Sequence, residues 1–521
     1  MNNLIKKDLE YRMISRRSNN KVRTIRSIST IILMTSLVLS IVGCKDEGTE
    51  KVAGTENVSA QTGETLDTRI GKLSFTHDFA NGYPVDATQE LLFDEMDFQR
   101  ACQAYIWSIP LVGFAQWQYA NKQVGAENGQ FVSVESYEDL REGLTANATT
   151  PYVLVFTDLT DGQWVVELPE AEIRGAAHSM WQMGLGRMVK PGKYLFVGPG
   201  QDVPENAEDN GYTVIQSSTI NVMAVLRLLS QDRDERMGML EKIGVYPYAE
   251  RSNPKPRGYT TPNGRPYQVW QPRGMEYWER LADIINREPI HERDRFMLAM
   301  LKPLGIEKGK AFKPDARQIK ILTEAALVGE AMAKSNDFSN PRLEDAHYTE
   351  GSHWEFATTG VPSQRRENYE DLDGRAAWFY EALTNDIGMH GQKTGKGQVY
   401  MAAYRDADGD WLDGEVNYTL HVPPNVPAAA FWSFTAYDVS TRTLTLNDTK
   451  QADRSSRMDL LTNADGSVDL YIGPKKPEGD KAKNWIQTLP GKAWFPYFRL
   501  YSPEQAFLDR TWILPDLEKV K

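Results

Sequence analysis

The sequence predicts an α+β protein: two antiparallel β-sandwich-like domains joined by a helical connector, behind a signal peptide and a flexible tether. Three observations carry that expectation. Residues from Val132 to Ser218, and again from Val399 to Leu500, alternate apolar with polar positions and are cut by Asp-Gly and Gly-Pro-Gly turn signals. The stretch between them repeats its apolar residues every three or four positions, as helices do. The first 43 residues follow neither period: a basic segment is followed by an apolar one.

In the leader, eight Lys/Arg run to Arg26, and an apolar stretch spans Ile28 to Val42. That stretch is too short to cross a bilayer and sits against a small-residue site, the form of an export signal. Ile41-Val42-Gly43-Cys44 resembles a bacterial lipobox, which implies diacylation of Cys44 after cleavage. Residue 45 is Lys rather than Asp, so outer-membrane anchoring is expected, with the membrane face undetermined. Residues 44–70 are polar and poor in large apolar side chains, and read as a tether.

An amphipathic helix follows. Leu91, Leu92, Met96, Phe98, Cys102, Tyr105 and Ile106 share a face, Asp86 or Thr88 caps it, and Pro110 lies beyond its end. Tyr152–Phe156, Trp164–Leu168 and Lys193–Val197 read as strands, with Asp161-Gly162 as a hairpin turn. From Asn221 the chain reads as helical. Val222, Val225, Leu226 and Leu229 make one stripe, and Trp278, Leu281, Ile284 and Ile285 another. Asp315 to Lys334 is the clearest helix, with Asp315 as N-cap and Ile319, Leu322, Ala326 and Ala333 as its apolar side. The Pro/Arg-rich stretch Ser252 to Arg273 reads as an extended arm across the surface or across a second copy of the chain. Strands resume at Val399–Arg405, Val416–Val422, Ala430–Asp438, Thr443–Leu446, Val468–Ile472 and Trp494–Leu500. The partition is therefore 1–43 lipoprotein signal peptide, 44–70 tether, 71–220 first β domain with its N-terminal helix, 221–390 helical connector and 391–521 second β domain.

Charge and cysteine usage narrow the function. The chain has a net charge of −12, with 41% apolar and 25% charged residues. Without the leader, 51 basic residues face 69 acidic ones, a net −18, which excludes nucleic acid as a natural partner. Two cysteines, Cys44 and Cys102, cannot build a disulfide scaffold, and Cys102 reads as a small core residue.

Several segments together resemble the paired domains DUF1254 and DUF1214. The first half matches in Glu95–Gly113, Thr150–Pro169 and Pro191–Gly200. The second matches in Asp371–Ala382, in GQVYMAAYRDADGDWLDG, in YTLHVPPNVPAAAFWSFTAYD and in NWIQTLPGKAWFPYFRLY. The resemblance implies two β-rich domains joined by helices, often on an exported protein, and transfers no catalytic residue. One departure is Val155, where the family pattern carries an Asn three residues before the aspartate that is Asp158 here.

No nucleophile elbow, HExxH, CxxC or P-loop is present. His347, Glu350 and His353 form a weak metal-like cluster, loosely spaced and interrupted by Gly351. Asp406-Ala-Asp-Gly-Asp410 opens like a calcium loop but has Trp411 and Asn417 at two key positions, so a hairpin turn is the better reading. The candidate ligand set is Tyr404, Arg405, Trp432, Tyr437 and Arg499 on the second domain's strands, with His178, Trp181 and Arg187 as an opposing wall. Alternation places Trp432 and Phe434 on one face, with Phe431 and Ser433 on the other, and alternate aromatics on a sandwich read first as core. The expected function is an envelope lipoprotein, held to the membrane by the lipid on Cys44, that binds an apolar, glycan or anionic ligand in an interdomain cleft without a cofactor. A homo-oligomer is left open. The alternative, motivated by chain size, is a hydrolase or lyase acting on an exported substrate.

Overall fold

The computed structural model describes residues 63–140, 142–339, 346–358, 361–390 and 393–520. The leader, Cys44 and the stretch to residue 62 lie outside the described residues. Folded chain begins within the expected tether: β1 (Thr65–Thr68) pairs with β2 (Gly71–Ser74). This hairpin needs no core of its own, because it docks on the next helix, where Ser74 N donates to Thr88 Oγ1 at 2.9 Å.

That helix, α1 (Asp86–Gln123), is 38 residues long and continues past Pro110 without a break. Val85 is its N-cap, so Asp86 and Thr88 fall inside it. Proline removes one backbone hydrogen bond and crowds the preceding turn, at roughly 3 kcal/mol. Packing overrides this cost, since every residue from Ala101 to Gln116 except Gln103 is buried. Two side chains donate to carbonyls around the proline: Gln182 to Pro110 O at 2.7 Å and Arg375 to Trp107 O at 2.8 Å.

The first β-rich half contains β3 (Phe131–Val134), β4 (Tyr152–Asp158), β5 (Trp164–Leu168), β6 (Ile173–Ser179), β7 (Gly184–Met188), β8 (Gly192–Val197), β9 (Tyr212–Gln216) and β10 (Asn221–Leu228). After α2 (Arg233–Glu241) come β11 (Gly244–Pro247) and β12 (Tyr259–Thr260). They form a six-stranded sheet, β12-β3-β4-β10-β6-β7, and a four-stranded sheet, β11-β5-β8-β9. Two expectations fail here. Asp161-Gly162 is a turn, but it carries the chain from β4 in one sheet to β5 in the other rather than closing a hairpin. Asn221–Leu228 is a central strand, not a helix. Both its faces are covered, so its sequence NVMAVLRL is nearly continuously apolar and shows no alternation.

The connector holds α3 (Met275–Arg287), α4 (Arg295–Leu301), α5 (Ala316–Phe338) and α6 (Leu372–Glu381). Asp315 caps α5 in a reciprocal box with Gln318. Leu322, Ala326 and Ala333 are buried as expected, but Ile319 is exposed. Gly329 lets α5 lie against α1, since a Cβ there would stand 2.6 Å from the Tyr105 ring. The Pro/Arg-rich arm packs on its own chain, with Tyr267 OH accepting from Trp117 Nε1 at 2.8 Å.

The second half contains β13 (Trp354–Phe356), β14 (Gln398–Ala403), β15 (Tyr418–Val422), β16 (Ala428–Asp438), β17 (Asp453–Ser455), β18 (Val468–Gly473), β19 (Trp485–Gln487), β20 (Trp494–Pro503) and β21 (Glu518–Lys519). They form a five-stranded sheet, β13-β14-β20-β16-β17, and a four-stranded sheet, β19-β18-β15-β21. Thr443–Leu446 is not a strand; it touches the sheet only through a bridge between Leu444 and Tyr437. The fold is thus α+β with two sandwiches, each with its own core: Val153, Val222, Val166 and Phe196 in the first, Met401, Phe434, Leu470 and Phe498 in the second. A third apolar layer joins the helices to the remaining face of each larger sheet. Leu154, Phe156 and Met223 enter it from one side, and Tyr400, Tyr437 and Tyr497 from the other.

Candidate functional site

The third layer is not filled throughout. A cavity of about 390 Å³ opens where the six-stranded and five-stranded sheets approach each other. One wall comes from β4, β6, β7 and β10 through Tyr152, Arg174, Ala176, Arg187, Val225 and Arg227. The other comes from β14, β16 and β20 through Gln398, Tyr400, Phe431, Tyr497, Arg499 and Tyr501.

Register sets these walls. Arg227 on β10 lies opposite Tyr152 on β4 and Arg174 on β6. Arg499 on β20 lies opposite Tyr400 on β14 and Ser433 on β16, and Tyr501 lies opposite Gln398 and Phe431. Side chains two apart on a strand share a face, so Tyr497, Arg499 and Tyr501 point together into the cavity while Phe498 and Leu500 enter the sandwich core. Arg227 Nη1 donates to Gln398 Oε1 at 2.6 Å, joining the two walls. Gln398 in turn donates to the Tyr400 hydroxyl. Asn147 donates to Tyr501 OH at 2.6 Å, and the Tyr501 ring stacks on Phe431 at 3.9 Å.

Arg499 is 2% exposed. Its Nη2 donates to Thr145 O at 2.7 Å and its Nη1 to Thr435 Oγ1 at 3.3 Å, while its Nε has no partner. Burial raises the Tyr400 and Tyr501 phenols, so both stay neutral. Arg174, Arg187 and Arg457 are exposed and mark the solvent side of the cavity. Behind Tyr497 lies a proton-holding pair. Glu381 accepts from Tyr497 OH and from Tyr404 OH (3.0 Å), and Asp337 is buried beside it. Burial pushes Glu381 up to about 7, and Asp337 is raised as well.

Residues 129–244 match the family "Protein of unknown function (DUF1254)", and residues 397–505 match "Protein of unknown function (DUF1214)". The chain contains a DUF1254 domain followed by a DUF1214 domain. No curated protein matches the chain. Among solved structures, VPA0106 from Vibrio parahaemolyticus is similar over 82% of this chain and 100% of its own, at 17% identity and a TM-score of 0.50. An uncharacterized protein from Burkholderia cenocepacia is similar over 84% of this chain and 97% of its own, at 10% identity and a TM-score of 0.37. The strand residues of the two cavity walls divide between the domains: Tyr152, Arg174 and Arg227 belong to DUF1254, and Tyr400, Arg499 and Tyr501 to DUF1214.

Of the residues singled out from sequence, Arg499 and Arg187 line the cavity. The rest are placed elsewhere. Trp432 is sandwich core, stacked on Phe498 at 5.4 Å, because alternation turns it away from Arg499. Tyr437 lies behind Arg499, its hydroxyl bonded to Ala146 O at 2.8 Å. Tyr404 supports Glu381 from behind. Arg405 folds back over Trp411 at 3.7 Å and onto Gly409 O. Trp181 is buried against Trp107 with Arg293 and Arg375 over its ring. His178 is fully buried, edge-on to Phe114, with both ring nitrogens unpartnered. Its Nε2 stands 4.0 Å from Asp386 Oδ2, outside hydrogen-bond reach, and burial lowers its pKa to about 4.

No three His, Cys, Asp or Glu side chains among the described residues are grouped to hold a metal ion, His347, Glu350 and His353 included. His347 sits 3.8 Å from Glu355, and the His353 backbone N–H bonds to Asp516. The Asp406–Asp410 loop is a tight turn whose carboxylates surround the Lys519 ammonium, at 3.2 Å from Asp406, 3.3 Å from Asp408 and 2.5 Å from Asp410. The cavity residues that sequence reasoning missed are Arg227, Tyr152, Tyr400 and Tyr501. One signal was available: Arg227 and Arg499 are arginines inside otherwise apolar strands, VMAVLRL and WFPYFRL.

Proposed function

We propose that this chain is an envelope-anchored binding protein that holds a small organic ligand in the cavity between its DUF1254 and DUF1214 sandwiches. The observation that carries the reading is the cavity itself. At about 390 Å³ it falls within the usual size of ligand pockets, roughly 300–1,000 Å³, and it combines aromatic walls with a few convergent polar groups. Its position between two domains is the common one for such sites. The chemistry of the walls supports binding over turnover. Neither His178 nor His347 lines the cavity, and neither makes a hydrogen bond to a carboxylate. A hydrogen-bonded pair, His421 with Asp469 at 2.7 Å, lies half-exposed on the outer sheet and is no part of the cavity. A glycan platform gains no support, since Trp432 and Phe434 are spent on the sandwich core.

The test is a thermal-shift screen of small molecules on the full chain and on a variant with the cavity plugged, Val225→Trp. Ligands of the cavity raise the melting temperature of the first and not of the second. Hits that stabilise both equally sink the reading. Anchoring rests on the sequence around Cys44. Cys44→Ser moves the protein from the membrane to the soluble fraction if the cysteine is lipidated, and leaves it with the membrane if it is not.

A further inference from the structure

We propose that the ligand is an organic anion: an oxyanion head seated between Arg227 and Arg499, on an apolar body that lies against Phe431, Trp378 and Tyr267. The inference rests on the cavity being a ligand site, and it names the ligand's class. Five arginines line the cavity (Arg174, Arg187, Arg227, Arg457 and Arg499), and none of them makes a salt bridge among the described residues. They are concentrated in a chain whose net charge is −12.

The carboxylates that share the lining do not neutralise them. Asp139, Glu172 and Asp386 stay outside ion-pair distance of all five guanidinium groups among the described residues, and five cations against three anions leave the lining net positive. Asp453 lies close enough to feel Arg499, but burial raises its pKa and Thr149 takes its hydrogen bond. Burial keeps the Tyr400, Tyr497 and Tyr501 phenols neutral, so they supply no counter-charge.

Register sharpens the point. Arg227 and Arg174 stand directly opposite each other on β10 and β6, and like charges so placed repel. Arg499 is buried with an unpartnered Nε, an arrangement that costs stability while no anion is present. A guanidinium carries five N–H donors in a planar fork suited to oxyanions. Arg499 directs two to protein atoms and Arg227 one, which leaves donors on both sides of the cavity. Arg227 lies over the Tyr152 ring and Arg499 over the rings of Tyr400, Tyr437 and Tyr497, contacts that offset part of each charge; a neutral ligand would add no counter-charge, and a cation would add to the repulsion.

The experiment compares two fluorescent probes of matched shape on the full chain: anilinonaphthalene sulfonate, which is anionic, and phenylnaphthylamine, its neutral counterpart. The sulfonate is expected to bind at least about tenfold more tightly, with affinity falling as salt rises. Arg227→Gln and Arg499→Gln are each expected to weaken the sulfonate by about 10- to 100-fold and to leave the neutral probe unchanged. Arg227 is the safer site, because it is partly exposed and holds one protein hydrogen bond, so it decides the matter if Arg499→Gln does not fold. Competition by decanoate against naphthoate then tells an aliphatic body from an aromatic one. Equal binding of both probes, untouched by the arginine variants, overturns the anion assignment and leaves the cavity a binding site. Binding of neither probe to folded protein overturns both readings.

Discussion

Replacing Glu381 by Gln should stabilise the protein at pH 8 and do little for it at pH 5. Glu381 ends α6, has no solvent exposure, and receives hydrogen bonds from Tyr404 and Tyr497. Burial, the largest cause, pushes its pKa from 4.5 up to about 7. Between those values the folded protein keeps a proton that the unfolded chain has lost, so stability falls as pH rises through that window. Each pKa unit is worth about 1.4 kcal/mol, so the ionised carboxylate costs about 3 kcal/mol by pH 8. Gln keeps the shape and has no proton to lose. It also removes the charge that helps raise Asp337, so relief at the second carboxyl acts in the same direction. At pH 5 imperfect replacement of the hydrogen bonds to the two tyrosines costs about 1 kcal/mol, and the small charge relief already present there offsets most of it. The assay is urea unfolding followed by circular dichroism at both pH values. The difference between variant and parent should swing by roughly 2 to 3 kcal/mol toward the variant on going from pH 5 to pH 8. A difference that does not change with pH refutes the reasoning.

Two other sites give expectations of a different kind. His178→Phe should lessen acid sensitivity: with a folded pKa near 4 against 6.5 when free, the buried imidazole loses stability as pH falls through that window, and phenylalanine does not. Urea midpoints at pH 7 and pH 4.5 check this, and a gap between variant and parent that is the same at both counts against it. Lys519→Met removes the ammonium shared by Asp406, Asp408 and Asp410 and leaves the buried Asp406 carboxylate without its cation. Its melting temperature should fall, and calcium should recover part of the loss in the variant but not in the parent; an unchanged melting temperature contradicts the role given to Lys519.

Much of the fold was legible because its signals are local. Tyr152–Asp158, Trp164–Leu168 and Trp494–Leu500 declare themselves as strands through branched and aromatic residues, and the Asp315–Gln318 box marks the start of α5. The failures share a cause: packing supplied from elsewhere in the chain. Pro110 ends a helix on its own but not inside one buried on nearly every side. Asn221–Leu228 loses the alternation of a strand because sheet neighbours and helices cover both its faces. The site was less legible still. Alternation correctly splits Phe431 from Trp432, yet nothing local tells that the Phe431 face looks onto Arg227, which lies in another sheet and another domain. Arg499 is legible as an arginine among aromatics, but the same composition marks Tyr404 and Trp432, which point elsewhere.

The central claim is that one ligand is held by both sandwiches at once. Hydrogen–deuterium exchange of the full chain, with and without a ligand that raises its melting temperature, tests this most directly. Added protection is expected in peptides covering β10 and β20 together, with loss of that protection in Val225→Trp. Protection confined to one sandwich, or to surface far from Arg227 and Arg499, would contradict it.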